Sequence, residues 1–528
     1  MEKFAELLEN IIFSPSTNKK IDLLVKYFNE SKTIEKGYAL AILSSNIDLK
    51  SLRISELKNL IYSRVDKTLF ELSYDYVGDL AETISLIWKS QNSLKNVKPP
   101  ELSEFICYCK DHPKEDVYNY IFNLLDISNP TQRWAIIKIL FGGLRIGVSE
   151  KILKKALSKY GNKKLEKIEK IWHGLLLPYQ NLFDWLDDKK PEPKIDIFKT
   201  FHPMMLANPI NKDEDFAILN PKDFVAEWKW DGIRVQIIIN NNEVTLFSRN
   251  GDNITHSFPD IKFSSEKNVV IDGELLVGKN FEPSSFNDLQ QRLNRKKVSS
   301  KILEDFPAFI KAYDIIFYDN KDVRGLSLLN RKKILEKWIR SNPNKIVDLS
   351  KELMFEDWNY LEELKYKFTK NLEIYEGVML KQKISKYESG RPMGMWYKWK
   401  RDPKYIDAIL MYAQRGHGKR SSFYSDFTFG IWADDIVIPI GKAYSGFTNK
   451  ELYKIDKFVR NNTIKRYGPV RELKKELVFE IAFDGISKSS RHKSGIALRF
   501  PRISRIRWDK PTSEVEDIQF IKKNFNLS

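Results

Sequence analysis

The sequence predicts a multidomain protein of mixed α and β structure. An all-α N-terminal domain is expected over 1–195, a largely antiparallel α+β domain over 200–402, and a small C-terminal β-barrel of the OB-fold type over 403–528. Three observations lead there. The chain has 528 residues, too many for one compact domain of roughly 150 residues. Its hydrophobic period switches from helical to two near residue 220. After Arg401-Asp402-Pro403 the pattern breaks again, into short apolar runs divided by turns.

Taken in order, Phe4, Leu7, Leu8, Ile11 and Ile12 recur at helical spacing. Asn129-Pro130-Thr131 punctuates the chain before Trp134, Ile136, Ile137, Ile139 and Leu140 and marks a new helix start. The charged, proline-containing run Asp187-Asp188-Lys189-Lys190-Pro191-Glu192-Pro193-Lys194 reads as a linker. Beyond it, Val225-Ala226-Glu227-Trp228-Lys229 is a short strand, and Ile233, Val235, Ile237 and Ile239 alternate with more polar neighbours. Asn240-Asn241-Asn242-Glu243 then leads into an apolar run at 244–248, which is a hairpin signal. Further strands are expected at 269–276, 310–318, 374–381 and 395–400, separated by helices at 286–293, 331–340 and 360–368. In the last stretch, short strands at 408–412, 428–432, 436–440, 478–483 and 496–500 and a helix at 450–460 suit an OB-type barrel. A β-sandwich would share the same periodicity.

Composition narrows the class. Lys plus Arg number 88 against 71 Asp plus Glu, a net charge of +17, which favours a polyanionic partner, nucleic acid before an anionic membrane surface. No run of eighteen apolar residues is present, so no membrane span is expected. The acidic start Met1-Glu2-Lys3-Phe4-Ala5-Glu6 is no secretion signal. Cys107 and Cys109 are the only cysteines, which excludes a disulfide framework and a four-cysteine zinc site. The six histidines, at 112, 173, 202, 256, 417 and 492, have no ligand spacing.

The chemistry concentrates at Glu227-Trp228-Lys229-Trp230-Asp231-Gly232-Ile233-Arg234. A strand ends there in a Lys-x-Asp-Gly turn, with a lysine amine at its edge. A lysine is a nucleophile only when neutral, so a reacting one needs neighbouring cations or a metal. Alone, the segment reads as a surface turn. It is followed in order, on expected strands, by Ser248-Arg249-Asn250-Gly251, Asp272-Gly273-Glu274-Leu275, Ala312-Tyr313-Asp314-Ile315, Glu376-Gly377-Val378-Met379-Leu380-Lys381 and Trp396-Tyr397-Lys398-Trp399-Lys400. Glu274 and Glu376 are oxygen donors of the kind Mg²⁺ prefers. Lys398 and Lys400 alternate with aromatics and can share one strand face, and Arg234 and Arg249 offer planar forks to ribose or phosphate. Taken singly, Glu274 and Glu376 would be exposed strand-end carboxylates, Tyr313 core packing and the two lysines a solvated face.

Six such motifs in this order resemble the covalent nucleotidyltransferase superfamily of DNA ligases, RNA ligases and capping enzymes, and the ATP-dependent DNA ligases in particular. The resemblance spans the chain and makes 200–402 an adenylation (nucleotidyltransferase) domain. It implies that Lys229 carries AMP, that Glu227 lies near the adenine amine, and that Arg234 and Arg249 lie around the ribose and the nick phosphate. It further implies that Glu274 touches ribose and metal, Glu376 is a metal ligand, Tyr313 stacks on adenine, and Lys398 and Lys400 hold phosphates. Arg391 matches a second nucleotide-region arginine, with Pro392 departing from the local pattern. ATP and Mg²⁺ are the implied cofactors.

Phe141-Gly142-Gly143-Leu144-Arg145-Ile146-Gly147-Val148-Ser149 resembles a segment of the DNA-binding domain of large ATP-dependent ligases, so Arg145 is a DNA-binding candidate. Taken alone it is a glycine-containing helix junction. Near the end, Leu498-Arg499-Phe500-Pro501-Arg502-Ile503 precedes Arg505-Ile506-Arg507-Trp508-Asp509-Lys510. This looks like the family's sixth motif, with Arg507, Asp509 and Lys510 orienting pyrophosphate, and with Arg499, Arg502 and Arg505 as a basic DNA-contacting edge. The resemblance thus implies a monomer that encircles nicked duplex DNA and seals it, in the cytoplasm with the nucleoid. The absence of a long N-terminal extension suggests a bacterial or archaeal enzyme. An RNA ligase or capping-type enzyme shares the Lys229 motif but leaves the helical two hundred residues unexplained. A zinc-carrying NAD-dependent ligase needs four cysteines. Residues 403–528 carry 24 Lys plus Arg against 14 Asp plus Glu, a net +10, so the excess charge sits largely where DNA backbone contacts are expected.

Overall fold

The computed structural model describes residues 1–527 apart from 48, 50–52, 78, 91–96, 142, 143, 145, 294, 296, 297, 372, 373, 417–422, 490, 491 and 526, and apart from the side chains at 75, 76, 370 and 371. The chain divides into two compact units, one formed by 1–169, 176–193 and 402–528 and the other by 170–175 and 194–401.

As far as residue 186, the described residues form helices and connecting turns and contain no strand. The first helix, Glu2–Ile12, buries Phe4, Leu7, Leu8 and Ile11 and leaves Ile12 outside, as its spacing requires. The Asn-Pro-Thr signal starts helix Pro130–Phe141. There Asn129 Oδ1 accepts from the Gln132 amide at 2.9 Å, and Gln132 Oε1 accepts from the Asn129 amide at 2.9 Å, a reciprocal cap. A buried carboxylate joins two further helices: Glu35 Oε2 accepts from the Leu102 amide at 2.9 Å, at the positive end of helix Leu102–Asp111.

The second unit is built on two sheets. Its strands are β1 (Asn208–Pro209), β2 (Phe224–Trp230), β3 (Ile233–Asn240), β4 (Glu243–Ser248), β5 (Val269–Lys279), β6 (Glu282–Pro283), β7 (Ala308–Tyr318), β8 (Lys321–Asp322), β9 (Val347–Leu349), β10 (Glu352–Leu353), β11 (Tyr375–Gln382) and β12 (Trp396–Lys400). One sheet runs β4-β3-β5-β7-β8, with β6 on β5 and β9 on β7; the other runs β1-β12-β11-β2-β10. All ladders are antiparallel except β1–β12 and β7–β9. Asn241 and Asn242, at φ 49° and 67°, make the two-residue β3–β4 turn, a conformation asparagine tolerates. The first sheet is buried on both faces. Val235, Ile237, Ile239, Ile271 and Ile310 pack with Leu335 and Trp338 of helix Leu328–Ser341. Ile238, Val270 and Ile316 face the opposite way, in a cluster with Met205, Tyr387 and Trp396 of β12. This two-sided burial explains why 237–239 is an unbroken isoleucine run rather than a strict alternation.

The β-rich C-terminal part holds β13 (Lys404–Arg415), β14 (Tyr424–Ala433), β15 (Ile436–Ala443), β16 (Thr463–Tyr467), β17 (Val470–Leu473), β18 (Val478–Phe483), β19 (Gly485–Lys488), β20 (Ile496–Arg499) and β21 (Arg502–Arg507), with helix Asn449–Asn461. The main sheet runs β15-β14-β13-β17-β16, and β18 pairs with both β13 and β21. Among the described residues this part of the chain forms an open, half-barrel arrangement of strands. No ladder among the described residues joins β15 to β21, although the Ile503 amide donates to Ser445 O at 3.0 Å. Four strands went unanticipated because they are short and polar: four of the five residues of β16 are exposed.

Candidate active site

Lys229 is the second-last residue of β2, with Trp230 between it and the turn into the other sheet. The turn is pinned from two sides. The Asp231 amide donates to Ile374 O at 2.9 Å, tying it to the start of β11. A Cβ at Gly232 would lie 2.6 Å from the Leu275 carbonyl oxygen, so only glycine lets the turn lie against β5.

Ladder register then sets which groups face Lys229. Lys229, Gly377 and Lys400 form one row across β2, β11 and β12, and Glu227, Met379 and Lys398 form the next on the same face. Between Tyr375 and Gly377 the β11–β2 register slips, so Glu376 is an extra residue opposite a single step of β2. Gly377 sits at φ +146°, and a Cβ there would come 2.1 Å from Trp399 O. The resulting β-bulge turns the Glu376 side chain out of strict alternation. Lys229 Nζ donates to Glu376 Oε2 in a largely buried ion pair.

Glu274, on β5, is buried among both cations and carboxylates. Its burial pushes the carboxyl up to about 8; Lys229 and Arg234 oppose the rise, while Glu376 and Asp272 add to it. Arg234, opposite Glu274 in the ladder, is itself committed, since Nε and Nη2 donate to Asp272 Oδ1 and Oδ2 at 3.0 and 2.6 Å. Tyr387 Oη donates to the same Asp272 carboxylate at 2.6 Å. The Tyr313 ring lies 5.8 Å from the Arg234 guanidinium and 4.3 Å from Lys381 Nζ. Its neighbour Asp314 is paired with Arg331, both side chains inaccessible to solvent, at 2.8 and 2.9 Å.

Lys398 stands among cations. Burial lowers its pKa, and Arg391, Lys400, Lys229 and Arg249 push it further in the same direction. Arg391 is held in place by its loop: Gly390 exchanges backbone hydrogen bonds with Met204 and Leu206 at 3.1 and 2.6 Å, and Asn208 Nδ2 donates to Pro392 O at 2.8 Å. Such a group of cations suits a polyphosphate. Among the described residues no group of three or more His, Cys, Asp or Glu is gathered to hold a metal ion; Glu376 pairs with Lys229, and Glu274 is close enough to feel the charge of both.

Lys332, Lys381, Asp272, Tyr387 and Asn208 have no place among the candidates read from sequence. Their partners lie 38 to 184 positions away. Lys381 and Asp272 each had a signal, as the last residue of the segment that begins at Glu376 and the first of the segment that ends at Leu275.

In the other unit, Arg507 of β21 donates to Asp407 of β13 at 3.2 Å and to Asp509 at 3.0 Å, and Lys510 donates to Asp407 at 2.7 Å. Arg502 pairs with Asp484 at 2.8 Å and Arg505 with Glu480 at 3.0 Å. Arg499 ends β20. Arg145 lies outside the described residues.

Comparison with known proteins decides the family. Three family descriptions match the chain in order: DNA ligase N terminus over 1–158, ATP dependent DNA ligase domain over 204–400, and ATP dependent DNA ligase C terminal region over 420–510. A probable DNA ligase of Koribacter versatilis is 32% identical over 423 residues, covering 76% of this chain and 73% of that protein. The chain belongs to the ATP-dependent DNA ligases. A DNA ligase of Methanococcus aeolicus is similar over nearly the whole length, at 29% identity with 98% of this chain and 92% of that protein covered. A solved structure described as Pmar-Lig_PreS3 shares the fold, with a TM-score of 0.61 at 17% identity over 96% of this chain and 99% of that one. The enzyme is therefore one that forms phosphodiester bonds by way of adenylylation. No helix among the described residues is long and apolar enough to cross a membrane.

Proposed function

We propose that the enzyme seals nicks in duplex DNA through three displacements centred on Lys229. Lys229 Nζ, having lost a proton, attacks the α-phosphorus of ATP; a P–N bond forms, the bond to pyrophosphate breaks, and lysyl-AMP results. An oxygen of the nick's 5′-phosphate then attacks that phosphorus, the P–N bond breaks, and AMP is joined to the DNA end. Finally the 3′-hydroxyl attacks the 5′-phosphate, the phosphodiester closes and AMP leaves. Splitting one hard condensation into easier displacements is the use of the covalent intermediate.

The observation that carries this reading is the bulge that sets Glu376 against Lys229, with Glu274 close by and a group of cations on the same sheet. In the ion pair, Lys229 is a proton donor, and Glu376 is the group placed to take its proton or to release the amine when drawn elsewhere. Glu274 and Glu376 would hold Mg²⁺. The fit rests on their oxygen chemistry and on the burial that, with the Glu376 and Asp272 carboxylates adding, pushes Glu274 up and that a divalent cation would offset. Bound there, Mg²⁺ would supply positive charge to the triphosphate oxygens. Lys398, Lys400 and Arg391 face phosphate, and Arg249 faces the nick phosphate. Arg234, with two donors committed to Asp272, has Nη1 left for ribose. Glu227 meets the adenine amine and Tyr313 stacks on the base. Arg507, Asp509 and Lys510 orient pyrophosphate during the first step, while Arg145, Arg499, Arg502 and Arg505 grip the DNA backbone.

The domains are read as 1–195, 200–402 and 403–528, the last an OB-fold, in a monomer that encloses the duplex in the nucleoid. The net +10 of residues 403–528 supports backbone contacts there, and such binding is sequence-independent and salt-sensitive.

The test is a nick whose 5′-phosphate already carries AMP. Lys229→Ala is expected to seal that substrate and to leave an ordinary nick unsealed with ATP. Failure on both, in a folded variant, or sealing of nicked RNA but not DNA, would contradict the reading.

A further inference from the structure

One buried ionic cluster lies outside the six sequence motifs in part, and the reaction steps above do not use all of it. Glu227 is 1% exposed, and each carboxylate oxygen has its own lysine. Lys332 Nζ donates to Oε1 at 2.5 Å and Lys381 Nζ donates to Oε2 at 3.0 Å. The two lysine side chains are 8% and 2% exposed, so neither can swing to water and back at no cost. Lys381 reaches Glu227 across the β11–β2 ladder, two positions along from its facing residue Met379. Lys332 comes from a separate element, helix Leu328–Ser341, whose adjacent Arg331 is locked onto Asp314. The residue next to Asp314, Tyr313, presents its ring to Lys381 at 4.3 Å. One helix thus fixes the carboxylate directly through Lys332 and, through Arg331, anchors the residue next to the Tyr313 ring.

We propose that Lys332 is a positioning residue for nucleotide choice: with Lys381 it holds Glu227 as a fixed, acceptor-only anion, which selects a purine with an amine at position six over one with a carbonyl. The inference rests on the reading of Glu227 as the adenine contact. An ionised carboxylate can only accept hydrogen bonds, so it pairs with an amine and repels a carbonyl oxygen. A protonated or rotated carboxyl can donate and loses that discrimination. Burial alone would favour the protonated form, but the facing Lys332 and then Lys381 outweigh it, and Glu227 stays below the usual carboxylate range.

The experiment compares single-turnover labelling of the full-length enzyme with ATP and with ITP, whose base carries a carbonyl at position six. The ratio of the two rates is independent of how much of a preparation is folded, so a destabilised variant remains informative. Wild type should favour ATP strongly. Lys332→Gln should reduce the ATP:ITP ratio by about tenfold, the scale of one charge-assisted hydrogen bond, and Lys332→Arg should restore it. Glu227→Gln serves as the reference and should also reduce the ratio. If Glu227→Gln relaxes selectivity while Lys332→Gln leaves it at the wild-type value, the role given to Lys332 is wrong and the adenine contact stands. If Glu227→Gln does not change the ratio, the adenine contact itself is wrong, and the inference falls with it.

Discussion

Lys229 and Glu376 meet because β11 carries one more residue than β2 over the same step of their ladder. In a regular strand the residue beside Gly377 would point to the opposite face from Lys229. The bulge reverses that, and a glycine at positive φ makes the bulge possible.

Replacing that glycine tests the arrangement. Gly377→Ala places a methyl carbon 2.1 Å from Trp399 O at φ +146°. The expected cost is about 1–3 kcal/mol of stability from backbone strain, and more from the clash. Displacing Glu376 by an ångström should slow lysyl-AMP formation by about 100-fold. Quench-flow labelling and urea unfolding of the same preparation separate the two effects. Labelling at the wild-type rate would show that Glu376 does not need the bulge.

Asp272 binds Arg234 through two hydrogen bonds and accepts a third from Tyr387. It is 0% exposed, so Asp272→Ala leaves a buried guanidinium without its counter-charge. The expected loss is about 3–5 kcal/mol in urea unfolding. Replacing Tyr387 with Phe removes one neutral donor and should cost far less.

A pH dependence follows from His202. Its ring is buried against Phe317 with centroids 4.6 Å apart, and Nε2 donates to Ile197 O at 2.8 Å. Burial lowers the pKa to about 4, with the Ile197 hydrogen bond opposing, from an ordinary 6.5. The folded state therefore resists protonation while the unfolded chain accepts it. Stability contributed by neutral His202 is complete above pH 6.5, declines as pH falls towards 4, and does not change further below it. The full difference is about 3 kcal/mol. His202→Gln should lose less stability than wild type between pH 7 and pH 4, and equal losses would contradict the assignment.

Arg507, the last residue of β21, and Lys510, just beyond it, share the Asp407 carboxylate, which holds the two cations together. Arg507→Ala and Lys510→Ala are expected to slow lysyl-AMP formation by about 100-fold, as loss of a transition-state donor does. Sealing of a pre-adenylylated nick should stay near the wild-type rate. Equal losses on both substrates would make these residues DNA contacts instead.

Much of this site could be read from the chain because its parts are local. Glu227, Lys229, Asp231 and Gly232 fall within one strand and its turn, and Lys398 and Lys400 alternate within another, so spacing alone puts them on shared faces. The bulge at Glu376 could not be read, since 375–382 looks like an ordinary strand and a register slip is a property of two strands. Lys332 and Asp272 escaped for the same reason: each acts through a residue distant in sequence, and a lysine on a helix reads as a solvated face. The helical first part was legible from periodicity. The C-terminal sheet was less so, because strands such as β16 are too polar to leave an apolar pattern.

The central claim is that Lys229 carries the nucleotide. Incubation with α-labelled ATP and Mg²⁺, followed by denaturing electrophoresis, tests it most directly. The account predicts a labelled, acid-labile adduct that chases onto nicked duplex DNA and is absent in Lys229→Ala. An adduct that persists in Lys229→Ala, or none in the wild type, would contradict it.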